Sequence, residues 1–139
     1  MNEPNIGVPI FFTRNNQLLL GQRKNSFGSG LFGLPGGRVA PQETLEQCLI
    51  REAKEEVGIS PIKFKSIGLV KEWQATHFFL HFIFVCTKWK GEIANLEPEK
   101  SENWQWYSLD SLPEDILSGH KAGIDMFLTN ARQFQVVEI

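Results

Sequence analysis

Three glutamates, Glu52, Glu55 and Glu56, stand at i, i+3, i+4 in a stretch that reads as a helix over residues 44–57. That spacing makes their carboxylates neighbours on the helix surface. At ~100° per residue Leu45, Cys48 and Leu49 share one face, and continuing it toward the C-terminus reaches the three glutamates. A solvated charge run with Arg51 and Lys54 as ion-pair partners is the bland reading. It explains poorly why like charges crowd where they repel one another and where the helix dipole disfavours anions. Divalent cations would relieve the crowding, and oxygen-only ligands favour Mg²⁺ or Mn²⁺.

The elements that must hold this cluster are short. Pro41 precedes the helix and Gly58 follows it as a left-handed C-cap. Upstream, residues 8–13 and 17–22 are apolar runs joined by Arg14-Asn15-Asn16, the pattern of a β-hairpin. Residues 24–30, with Ser26, Gly28, Ser29 and Gly30, read as a loop. Residues 31–34 read as a short strand, ended by a Pro35-Gly36-Gly37 loop that leads to the helix. Residues 62–72 and 76–87 read as strands, the second apolar at nearly every position, as in a strand buried on both faces. Residues 104–108 are a further strand. Residues 112–130 are helical in part, weakened by Gly119 and Gly123. The order predicts one α/β domain over residues 1–139, a mixed sheet between helices in an α/β/α sandwich.

Composition narrows the class. The 139 residues are 42% hydrophobic and 22% charged with a net charge of −2, which suits a globular domain and argues against a general nucleic-acid or membrane binder. Cys48 and Cys86 form no Cys-x-x-Cys pair and read as reduced thiols of a cytoplasmic protein. Residues 1–4 lack the basic and apolar regions of a signal peptide, and the longest apolar stretch, residues 78–86, is too short to span a bilayer.

Gly37, Glu43, Arg51, Glu52, Glu55, Glu56 and Gly58 match every fixed position of G-x5-E-x7-R-E-U-x-E-E-x-G-U, with Ala53 and Ile59 in its apolar slots. At residue frequencies near ~6%, seven such matches have a chance probability on the order of 10⁻⁸ or lower per starting position. The chain therefore resembles the Nudix hydrolase family, MutT-like enzymes that cut diphosphate linkages. The resemblance implies that Glu52, Glu55 and Glu56 bind Mg²⁺, with Mn²⁺ as a substitute, and include the catalytic base, for which Glu52 is the choice; some relatives take the base from a later loop. It implies that Gly37 offers its carbonyl to a metal and that Glu43 and Arg51 form a structural pair holding loop to helix. Residues 19–24, the Leu34-Pro35-Gly36-Gly37 loop, and residues 95–100 followed by Trp104-x-Trp106 resemble a cytosolic subgroup that converts nucleoside triphosphates, oxidised purine nucleotides included, to monophosphate and pyrophosphate. Within that likeness Arg23, Gly36, Gly37 and Glu99 are substrate-binding candidates, and Glu99 and Glu102 sit where some relatives supply an extra carboxylate.

Two departures bear on the base. Residues 116–120 carry no aromatic side chain, and Gly33 leaves the opposite side open, so no stacking platform is evident. Phe78, Phe79, Phe82 and Phe84 read as core. Among Trp73, Trp89, Trp104 and Trp106, more exposed as a group, Trp106 reads as core. His77, His81 and His120 have no metal-ligand spacing, and at most one is expected to touch substrate. The resulting expectation is a nucleoside triphosphate diphosphatase, with a role in clearing modified nucleotides, acting on a small-molecule nucleotide and on neither nucleic-acid polymer nor membrane. A homodimer is allowed for. The alternatives are hydrolysis of another nucleoside diphosphate derivative, such as ADP-ribose or a dinucleoside polyphosphate, and a non-catalytic ligand-sensing module. The last is disfavoured because idle domains usually lose the box glutamates.

Overall fold

A computed structural model describes residues 3–24, 28–74, 76–130 and 132–139. Met1, Asn2 and Ser26, on which the signal-peptide and loop readings partly rest, lie outside the described residues.

The first hairpin pairs β1 (Asn5–Arg14) with β2 (Gln17–Gln22), antiparallel. Asn15 and Asn16 turn the chain with φ of 50° and 59°, the left-handed pair that a two-residue hairpin turn demands. β3 (Phe32–Gly33) pairs with β2, and β4 (Gly36–Arg38) pairs with β1. Here the structure corrects the sequence reading. Leu31 and Leu34 lie outside the strand, and the expected Gly36-Gly37 loop is itself a strand, because Val8 and Pro9 in β1 provide it with an antiparallel partner.

β5 (Ser60–Gln74) and β6 (His77–Lys90) form a long antiparallel pair, and β6 runs parallel to β1. β7 (Gln105–Ser108) pairs with β2 and excludes Trp104. β8 (Gln135–Glu138) adds a parallel edge strand to β5, an element the sequence reading missed. The sheet order is β3-β2-β1-β6-β5-β8, mixed as expected. β6 is fully buried only over residues 83–86; the reading of burial on both faces throughout is corrected, since residues 78–82 are half-buried, with Phe79 and His81 bordering a cleft.

α1 (Leu45–Val57) and α2 (Ser118–Asn130) lie against opposite faces. Strand alternation sorts the core. Val8, Ile10, Phe12, Phe84 and Cys86 pack on the α1 side with Cys48, Leu49, Ala53 and Val57; Phe11, Ile83 and Val85 pack on the α2 side with Ile124 and Met126. α2 begins at Ser118 rather than within residues 112–117. The helix nonetheless runs through Gly119 and Gly123. They are buried contact points: a Cβ would meet His81 and Glu72 at the first and Ile83 at the second. No helix among the described residues is long and apolar enough to cross a membrane.

Candidate active site

α1 is fixed at both ends before its glutamates matter. Thr44 caps the N-terminus, its Oγ1 accepting from Gln47 N at 3.1 Å while Gln47 Oε1 accepts from Thr44 N at 2.8 Å. Gly58, at φ 72°, ends the helix by donating its N–H to the Ala53 and Lys54 carbonyls. The apolar stripe continues through Ala53 and Val57, so the face does not turn wholly acidic. Glu52 and Glu56 flank the stripe and point at β4, whereas Glu55 is half exposed.

β4 receives them closely. Gly36 N–H donates to Glu56 Oε2 at 2.7 Å. At φ 141° Gly36 has no room for a side chain, since a Cβ would come within 2.1 Å of the Val8 carbonyl oxygen. A Cβ on Gly37 would lie 2.3 Å from the Glu52 carboxyl carbon. The glycine pair therefore brings backbone directly against two carboxylates.

Arg51 organises the other side. Its Nε and Nη2 donate to the two oxygens of Glu43 at 2.7 and 2.9 Å, its Nη1 to Glu52 at 2.8 Å and to Glu55 at 3.2 Å, and its Nη2 to the Arg38 carbonyl at 3.1 Å. Glu43 also accepts from Ala40 N at 2.9 Å, so one guanidinium ties the loop after β4 to the helix. Arg51 and the Ala40 N–H hold the Glu43 carboxyl down to about 2. Burial pushes Glu52 up despite Arg51, and burial pushes Glu56 up to about 8 despite the Gly36 N–H, with Glu52 and Glu97 adding repulsion.

The sequence reading named Glu99 and Glu102 in this loop and passed over Glu97. Glu97 bears on both Glu52 and Glu56 and accepts from Lys100 Nζ at 3.3 Å. Glu99 is exposed, and Glu102 faces Lys24 at 3.7 Å. Arg23 is half-buried on the wall of the adjoining cleft and feels the charge of Glu56.

That cleft has a cavity volume of about 180 Å³, open to solvent at its mouth, and is lined in part by Gly36, Gly37 and Arg23. Its other wall holds residues the sequence reading had placed elsewhere. Phe79 lines the cleft rather than the core, and His81 and His120 line it too. The space beside Gly33 is filled, not open: a Cβ there would meet Leu117 at 3.1 Å and His120 at 3.2 Å. Trp73 is 58% exposed, while Trp89, Trp104 and Trp106 pack against the α1-side core. Both cysteines are buried thiols, pushed up by burial to about 12 at Cys48 and about 11 at Cys86.

Among the described residues no three His, Cys, Asp or Glu side chains converge as a ready-made metal cage. The donors present still fit a hard divalent ion. Mg²⁺ is commonly held by one or two carboxylates plus substrate phosphates and water rather than by an all-protein cage. Glu52 and Glu56 are oxygen donors on one side of a glycine cradle, and the raised Glu56 is a buried carboxyl that a cation would return to its charged form.

The chain is similar to several known proteins. The chain is 44% identical over 113 residues to an ADP-ribose pyrophosphatase of Methanocaldococcus jannaschii, covering 80% of this chain and 66% of that protein. It is 32% identical over 117 residues to the 8-oxo-dGTP diphosphatase of Escherichia coli, covering 83% and 88%. It is 36% identical over 107 residues to the NAD-capped RNA hydrolase NudC of Pseudomonas aeruginosa, covering 75% of this chain but spanning only about a third, 36%, of that relative. The crystal structure of a MutT NUDIX hydrolase from Burkholderia pseudomallei superposes with a TM-score of 0.86 at 27% identity, covering 90% of this chain and 98% of that one. The model of the NUDIX domain matches residues 1–127, and the chain belongs to the Nudix family.

Proposed function

We propose that the chain hydrolyses a nucleoside triphosphate to the monophosphate and pyrophosphate with Mg²⁺, for which Mn²⁺ can substitute. The observation that carries this reading is the placement of Glu52 and Glu56 against Gly37 and Gly36 at the edge of a cleft that also holds Arg23. Glu52, Glu55, Glu56 and the Gly37 carbonyl are the proposed metal donors. Bound there, Mg²⁺ supplies charge neutralisation and orients the leaving pyrophosphate. Glu52, oriented by Arg51, accepts the proton of the attacking water as its oxygen bonds to phosphorus and the bond to the leaving group breaks. Burial raises Glu52, which makes it a stronger base than an exposed carboxylate. Arg23 offers its guanidinium fork to phosphate oxygens, and its partial burial strengthens that contact. Glu97 stands in reserve as a further carboxylate, and Glu43 with Arg51 keeps the loop in register with the helix.

A second reading is favoured by the 44% identity to an ADP-ribose pyrophosphatase, in which the same water attack cleaves the diphosphate of a nucleoside diphosphate derivative. Incubating the protein with Mg²⁺ and the four common nucleoside triphosphates, 8-oxo-dGTP, ADP-ribose and a dinucleoside polyphosphate, then separating products by chromatography, decides between them. Monophosphate and pyrophosphate from a triphosphate is the expected result. Diphosphate plus phosphate, or turnover of ADP-ribose alone, overturns the first reading.

A further inference from the structure

Glu97 owes its place to a loop anchored at its two ends on different elements. On one side the Ala94 and Leu96 N–H groups donate, each at 3.0 Å, to the carbonyls of Val57 and Glu56 at the end of α1. These are carbonyls that a helix terminus leaves without an internal partner. Leu96 also packs over the helix end, since a Cβ on Gly58 would lie 3.2 Å from its Cδ1. On the other side the chain returns to the end of β2. There the Lys24 N–H donates to the Lys100 carbonyl at 2.8 Å and the Glu102 N–H to the Gln22 carbonyl at 2.7 Å. Glu97 stands between these anchors. Its own carbonyl accepts the Lys100 N–H at 2.9 Å and the Ser101 N–H at 3.4 Å, so the segment folds back as a turn.

One side chain crosses the base of this turn. Asn95 Nδ2 donates to the Ser101 carbonyl at 3.0 Å and so ties the α1 anchor to the β2 anchor. A carbonyl only accepts, so the amide nitrogen must face Ser101 and Oδ1 must face away. Oδ1 is buried there with no hydrogen-bond partner among the described residues. Trp104 Nε1 is likewise buried and unpartnered among them, and Asn95 and Trp104 line one solvent-open cavity of about 420 Å³. An unpaired buried acceptor costs stability, a cost that an apolar side chain of the same size would not carry. Packing alone therefore does not account for a carboxamide at residue 95; its donor does.

We propose that Asn95 is a positioning residue for the diphosphate chemistry: its carboxamide closes residues 95–101 into a loop of fixed span and holds the Glu97 carboxylate where its charge adds to that of Glu52 and Glu56. This role rests on the reading of the chain as a metal-dependent nucleotide hydrolase and deepens it. The backbone anchors at Ala94, Leu96, Lys100 and Glu102 do not involve the Asn95 side chain, so they survive its loss. They fix each end of the loop but not the span between them, and Glu97 lies on that span. Lys100 does not replace the restraint. Its Nζ meets Glu97 at 3.3 Å, but it belongs to the same turn and its side chain is 62% exposed.

The test is a double-mutant cycle between Asn95→Leu and Glu97→Gln. Leucine keeps the size of the side chain and removes the donor. The rate kcat is measured on the best nucleoside triphosphate with saturating Mg²⁺, well below each melting temperature and at matched folded concentration. The Kd for Mn²⁺ is measured by titration without nucleotide. Asn95→Leu alone should lower kcat roughly 10-fold and raise the Mn²⁺ Kd about 3-fold, less than the ~10²-fold cost of misplacing a reacting group by ~1 Å, because Glu97 acts beside Glu52 and Glu56 and not in their place. In the Glu97→Gln background the same substitution should move kcat and Kd by less than about 2-fold, since the group it positions is already gone. Asn103→Leu, on the wall of the same cavity, should leave kcat and Kd at their wild-type values. If Asn95→Leu does not fold, Asn95→Ala takes its place in the cycle. Losses that multiply in the double variant, as a general weakening of the fold would give, overturn the proposal, and so does a wild-type kcat in a folded Asn95→Leu protein. If the wild type turns over no nucleotide, the proposed function fails separately. The Mn²⁺ arm of the cycle then decides the role of Asn95 by the same comparison.

Discussion

Gly37→Ala should damage catalysis while leaving the fold intact. The Gly37 backbone is not among the positive-φ glycines, so alanine is conformationally allowed. What it meets is Glu52: the new Cβ would stand 2.3 Å from the carboxyl carbon and from Oε1, and 2.7 Å from Oε2. Ordinary contact begins near 3.4 Å, so the carboxylate must retreat by about 1 Å. That is cheap for stability, because the displaced atoms end a flexible side chain; a change below ~1 kcal/mol is expected. It is costly for chemistry, because a misplacement of ~1 Å in a reacting group can lower the rate ~10²-fold, equivalent to ~2.7 kcal/mol of transition-state stabilisation. The assay is kcat with saturating Mg²⁺ beside a urea unfolding curve. Gly36→Ala is the contrast: its Cβ would strike the Val8 carbonyl at 2.1 Å from a φ of 141°, so it should lose stability and activity together. A wild-type kcat in a folded Gly37→Ala protein refutes the placement of Glu52 at the reacting centre.

Three further outcomes follow from the same geometry. Glu43→Gln should lower stability more than kcat, and the loss should depend on pH. The Glu43 carboxyl is depressed to about 2 in the folded chain, so its contribution is present above the ordinary carboxylate range and disappears as pH falls toward 2; urea midpoints of wild type and variant should converge in acid. Glu97→Gln should reduce kcat at least several-fold more than Glu99→Gln, because Glu97 is the loop carboxylate whose charge bears on Glu52 and Glu56; parity in steady-state rates would remove Glu97 from the site. Thr44→Ala should cost ~0.5–2 kcal/mol in thermal unfolding through loss of the helix cap, with kcat unchanged, and a catalytic loss out of proportion to stability would show that the cap does more than hold α1.

The parts legible from sequence are those governed by local rules. The α1 boundaries follow from Pro41, Thr44 and Gly58, and the first hairpin from Asn15 and Asn16, whose positive φ angles the turn requires. Motif spacing placed Glu52 and Glu56 on a common helix side, and the structure supplies the glycine strand they meet. What escaped depends on pairings between distant segments. β4 is a strand only because β1 lies beside it, and β8 is four residues whose partner, β5, ends some sixty positions earlier. The choice between Glu97 and Glu99 turns on how one loop is folded back, with Asn95 Nδ2 donating to the Ser101 carbonyl at 3.0 Å. The Glu72–His81 pair was within reach of a register argument across the β5–β6 hairpin, since its polar residues share a face. Adding His120 and Ser118 needed the docking of α2, which no sequence period encodes.

The most direct measurement of the central claim is pyrophosphate release from a nucleoside triphosphate by Glu56→Gln beside wild type, at matched folded concentration, with Mg²⁺ and with excess EDTA. Glutamine can still accept the Gly36 N–H, so the fold should persist, but it removes one charged donor for the metal. The expected result is a fall in kcat of at least ~10²-fold in the variant and no turnover by either protein in EDTA. Near wild-type release by Glu56→Gln, or full wild-type turnover in EDTA, would contradict the assignment of α1 and its glycine strand as the site of metal-assisted diphosphate cleavage.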